Sequence, residues 1–210
     1  MRHHEVNFHL CADDTQSCLT FESSSANLAK LAIEDCVRDI DNWMTVNMVK
    51  MNRDKTELVV LNARHRPPSP LTSISDCDEV ISMSSAARNI GVLYDSSLSM
   101  EHHVTAVCKA GFCHLRNISR TRKYISRPTA EILVHAFITS RLDFCNSPPY
   151  GLPKQTIKRL QRVQNVAARI VALTPKHEHI SPVLQELHWR PIEQRITFMI
   201  LLMTFNAEIS

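Results

Sequence analysis

Glycine is almost absent: three in 210 residues. None sits in a G-x-G-x-x-G or G-x-x-x-x-G-K-[ST] run, so the sequence offers no phosphate cradle of the dinucleotide or P-loop kind. Most β-rich sandwiches also need more turn glycine than this. No C-x-x-C occurs among the seven cysteines, and their number is odd. That argues against a disulfide framework or a zinc ribbon and for a reducing compartment. Long apolar runs are missing too. The longest, Ile196 to Phe205, is interrupted by threonine and covers about half of a membrane span. The start, MRHHEVNFHL, has no apolar signal core. The expectation is an intracellular protein, nuclear or cytoplasmic, neither secreted nor in a membrane. No G-x-S-x-G run supports a hydrolase.

What is present is an ordinary globular balance with unevenly placed charge. Residues 1–100 hold nine Lys and Arg against fourteen Asp and Glu, whereas residues 101–210 hold fifteen against seven. An acidic half is joined to a basic half, and the basic half suits a polyanionic partner. This division sets two expected domains, 1–100 and 101–210.

The first half reads as mixed strand and helix. Val6, Phe8 and Leu10 alternate with polar residues, as do Leu19 and Phe21, which predicts a β-hairpin with Ala12 to Thr15 at its tip. Residues 25–50 predict one long helix, with Leu28, Leu31, Cys36, Ile40, Trp43 and Met44 at helical spacing and packed on a sheet. A polar turn at 52–56 leads into a short buried strand, Glu57 to Leu61. Residues 62–79, with Pro67, Pro68 and Pro70, predict an exposed loop, and 89–95 predict another strand.

The second half reads as helices. One carries Val104, Val107, Phe112, Leu115 and Ile118; a second carries Ile132, Leu133, Ala136 and Phe137, with Pro128 in its first turn. Pro153 opens a third and Pro191 a fourth. Trp43 and Trp189 are assigned to the core. The fold class expected is therefore α+β.

Three patterns carry chemistry. Asp13 and Asp14 share the tip of the hairpin. Adjacent carboxylates repel unless a cation offsets them, and hard oxygen ligands suit Mg²⁺. The same dipeptide reads equally well as a solvated turn. Second, Lys154, Lys158, Arg162 and Arg169 fall within an arc of roughly 80° on a helix, in a stretch from 144 to 177 without an acidic residue. It is either a solvated face or a track for phosphates. Third, His102, His103, Cys108, Cys113 and His114 are near one another but spread over several helix faces, without zinc-site spacing.

Eight segments in order add a resemblance. They are LCADDTQ at 10–16, DIDNWMTVNMVKMN at 39–52, RDKTELVVL at 53–61, ARNIGVLYDSSLSMEHHV at 87–104, HLRNISR at 114–120, LVHAFITSRLDFCN at 133–146, GLPKQTIKRLQRVQNVAARIV at 151–171 and LHWRPIEQRITFMILLMTFNA at 187–207. Together they resemble the reverse transcriptase of non-LTR (LINE-type, jockey-like) retrotransposons over nearly the whole chain. The resemblance implies a partial polymerase palm followed by a helical, thumb-like region that grips the template–primer backbone. It implies Asp13 as a Mg²⁺ ligand, Asp14 with a lesser metal role, and Lys55 as a proton donor to departing pyrophosphate. It implies that Lys154, Lys158, Arg162 and Arg169 meet nucleic-acid phosphates. Cys11 stands where the family has an aromatic residue. The family's other metal-binding strand, nucleotide loop and fingers would precede the hairpin, which has only twelve residues before Asp13. The expectation is an N-terminally truncated RNA-directed DNA polymerase fragment, inactive alone, with an incomplete Mg²⁺ site. The alternative is a non-catalytic module that binds nucleic acid or protein. Oligomeric state is left open.

Overall fold

The computed structural model describes residues 6–12, 14–63, 69–76, 79–144 and 151–209. The chain is mixed α and β and divides into two compact units, Met1–Asn89 with Asp95–Leu98, and Ile90–Tyr94 with Ser99–Ser210.

In the first unit, β1 (Asn7–Cys11) and β2 (Asp14–Cys18) pair antiparallel with Cys11 opposite Asp14. Ala12 turns the chain with a left-handed φ of 55°, as a two-residue hairpin loop requires. The strands stop at Cys18, so Leu19 and Phe21 lie beyond the ladder. Helix α1 (Ala26–Val46) follows. Its inward face differs from the expected one: Ala26, Ala29 and Cys36 are buried, while Leu28 and Trp43 are 71 % and 64 % exposed. The cause is the narrow partner. α1 packs on β3 (Ser73–Asp76), half of a two-stranded sheet with β4 (Glu79–Ser82). Small side chains let the helix approach this ribbon, and the larger ones find no surface to cover.

Three other expectations differ from the structure. The 62–79 segment is not wholly an exposed loop. β3 arises within it, and Leu71, Ile74 and Asp76 are buried. The alternation from Leu71 onward outweighs the prolines before it. Conversely, Glu57 to Leu61 forms no strand: Leu58 makes one isolated bridge to Met83, although Val60 is buried. The expected strand at 89–95 is interrupted. β5 (Ala86–Asn89) and β6 (Val92–Asp95) flank Ile90 and Gly91, whose φ values of 43° and 78° make the tight turn.

The second unit is helical: α2 (Glu101–Thr121), α3 (Arg127–Val134), α4 (Ser140–Asp143), α5 (Lys154–Ala172), α6 (Ile180–Glu186) and α7 (Ile192–Ile209). Ser126 caps α3 by accepting from the Thr129 amide, and Pro128 occupies its first turn. A π-helical turn, His135–Thr139, joins α3 to α4. Ile138 and Leu142 lie in the core, whereas Phe137, within the turn, is exposed and stacks on His114. Val104, Leu115, Val134, Val163, Val171, Trp189 and Ile196 belong to one continuous core. Trp189 is thus a core residue as expected, and Trp43 is not. No described helix is long and apolar enough to cross a membrane.

Candidate nucleic-acid interface

Helix α5 has no acidic residue, and its two faces differ sharply. Leu160, Val163, Gln164, Ala167, Ala168 and Val171 are buried in the unit's core. On the outward face Lys154, Lys158 and Arg162 are exposed, one turn apart, and none makes an ion pair with a described residue. With Gln155 and Arg159 they line one shallow groove. Three cations at this spacing repel one another, and an anionic partner would relieve that repulsion.

Arg169 stands apart from the other three. It is half-buried, and its guanidinium donates to the carbonyl of Pro175 and, at 2.6 Å, to that of Glu178. It ties down the loop after α5, where Leu173 closes the helix at a left-handed φ of 56°. Arg159, which spacing alone does not single out, faces the seam with α2. It donates to Glu101 Oε2 at 2.9 Å and to Thr105 Oγ1 at 2.8 Å. Its signal in the sequence is its place beside Lys158, off the outward arc.

At the hairpin, Asp14 heads β2 and is exposed; Asp13 lies outside the described residues. Lys55 is exposed at the end of a short 3₁₀ turn, Arg53–Lys55, and makes no ion pair with a described residue. Among the described residues no three His, Cys, Asp or Glu side chains gather where they could hold a metal ion.

Arg53 has a structural role. Its Nε donates to Asp76 Oδ2 at 2.9 Å and its NH2 group to Asp41 Oδ2 at 3.2 Å. The Asp76 carboxylate beside it pushes the guanidinium above its ordinary range, against a smaller effect of desolvation. Burying Asp76 without this partner would leave an uncompensated charge.

Compared with family models, curated proteins and solved structures, the chain gives no match.

Proposed function

We propose that the chain derives from an RNA-directed DNA polymerase of the non-LTR retrotransposon type, and that its working surface is the helical unit, which holds a nucleic-acid backbone without reading sequence. The eight collinear segments support the origin. The observation that carries the binding role is the outward row of Lys154, Lys158 and Arg162 on a helix whose other face is core. Phosphate contacts fix position and carry no sequence information, so binding is sequence-tolerant.

This 210-residue chain is inactive in primer extension. Two-ion phosphoryl transfer requires carboxylates from more than one strand; the resemblance assigns only Asp13 and Asp14, on one turn. The non-catalytic form of the reading is therefore preferred.

The test pairs two measurements on the purified chain. Duplexes of unrelated sequence bind with equal affinity, and log K falls linearly with log salt. The variant K154Q/K158Q/R162Q flattens that slope by about three units, at ~0.9 per phosphate contact. Templated incorporation in the presence of Mg²⁺ stays at background. Incorporation abolished by Asp13→Ala overturns the inactivity; a parental salt slope in the triple variant overturns the binding surface.

A further inference from the structure

We propose that the cationic row on α5 continues onto α2, where Lys109, Arg116 and Arg120 complete one track for a phosphodiester strand crossing both helices. The inference rests on the phosphate-binding reading above and adds three residues to it.

The two helices lie side by side and run parallel. Thr156 donates to Glu101 at 3.0 Å and Arg159 to Glu101 and Thr105 near their starts. Near their ends, Arg122 just beyond α2 donates to the carbonyls of Ile170 and Val171 at 3.0 and 2.8 Å. Midway, a Cβ on Gly111 would stand 2.9 Å from Val163 Cγ1. Only glycine permits so close an approach, and the two surfaces merge because of it.

Helical phase places the two rows on the same side. Arg159, Glu101 and Thr105 mark one edge of the seam. On α5, Arg162 and Lys158 lie next around the helix from Arg159, away from the core. On α2, Arg116, Lys109 and Arg120 fall within roughly 40° of one another, next around from Thr105, at ~100° per residue. The other helices approach from the opposite side: Gln164 of α5 donates to the Arg190 carbonyl, Gln161 accepts from the Ile192 amide, and His114 of α2 stacks on Phe137.

All three α2 cations are exposed and make no ion pair with a described residue. No acidic residue occurs between Glu101 and Glu131. The one carboxylate of α2, Glu101, is already engaged by Arg159 and Thr156. The cross-seam pairs set Lys109 level with Arg162, so the α5 row ends where the α2 row begins. The resulting track is roughly 28 Å long at ~1.5 Å per residue, about eight base-pair steps. A bilayer fits this face poorly. Phe112 is the one large apolar side chain that α2 and α5 expose, whereas surface-bound helices insert several.

The experiment measures salt-dependent binding of the full chain to a labelled duplex about twice the track's length. The probes are the parent, K154Q/K158Q/R162Q and K109Q/R116Q/R120Q, with far-UV circular dichroism on each. Each triple variant flattens the log–log slope by about three units, and Arg116→Gln alone by about one. Arg116→Lys with Arg120→Lys keeps the parental slope, which separates charge from any folding defect. If the α5 variant is flattened and the folded α2 variant is not, the extension onto α2 is wrong and the α5 surface stands. If neither is flattened, both fall. Binding to phosphatidylserine vesicles in preference to the duplex, lost in the α2 variant, also overturns the proposal.

Discussion

Among the described residues, the apolar cluster of the first unit has three buried members, Val60, Leu71 and Ile74; that of the second has eighteen. Both units have helices of twenty-one residues, α1 and α2. The difference lies in what those helices meet. α2 is covered by α5, α3 and the π-helical turn, and buries Val104, Cys108, Leu115 and Ile118. α1 meets a two-stranded ribbon and leaves Leu28, Leu31 and Trp43 in water. Phe8, Leu10 and Leu61 of the same unit are also exposed. Periodicity gives a helix its stripe, but stability comes from a partner wide enough to cover it.

The largest expected effect is in hydrogen exchange of the full chain. Amides in the middle of α2 and α5 exchange at least about a thousandfold more slowly than those of α1 and β3, corresponding to ~4 kcal/mol in opening free energy. Equal protection in the two units would break the comparison. The next effect is on stability. Leu115→Ala costs about 3 kcal/mol, because a buried leucine leaves a cavity, whereas Leu31→Ala, on the open side of α1, changes stability by less than about 0.5 kcal/mol. Denaturant titration checks both, and a large loss at Leu31 would mean that its face is covered in solution.

The smallest effect is in thiol labelling, since each unit supplies its own control. Cys11, Cys18 and Cys113 are exposed; Cys36 and Cys108 are buried. Burial pushes the Cys36 and Cys108 thiols above their ordinary value near 9, with a smaller opposing pull on Cys108 from Arg159. The exposed thiols therefore react first at neutral pH, read by mass spectrometry. Cys36 follows before Cys108, because its unit opens more readily. The sign of the pH effect follows from the raised values: the stabilisation is complete below the ordinary thiol value and is lost as pH rises through the raised one. Alkaline pH then brings Cys36 and Cys108 into reaction. Labelling of Cys108 ahead of Cys36 would reverse the order of the units.

How legible each unit was follows the same division. The helices after 100 could be placed from local signals: Pro128, Pro153 and Pro191 at their starts and apolar residues at helical spacing. α6 was missed, because seven residues hold too few turns to show a period. In the first half the pattern misled in both directions. A run of prolines hid β3, and the apolar Leu58–Val59–Val60–Leu61 run lacked a neighbour to pair with along its length. The outward row of α5 was legible for Lys154, Lys158 and Arg162. Arg169 had the right phase, but its guanidinium is held by the carbonyls of the following loop, a contact that spacing along one helix cannot express.

The sequence by itself determined the α+β composition, the hairpin that carries Asp14, the helix starts marked by proline, and the absence of acid from α5. These are properties of neighbours along the chain, decided by backbone geometry and local hydrogen bonds. Only the tertiary structure decided which face of α1 is inward, that Arg53 neutralises buried Asp76, and that Gly111 brings α2 against Val163 of α5. Those depend on burial and close approach between distant segments, which no local period encodes.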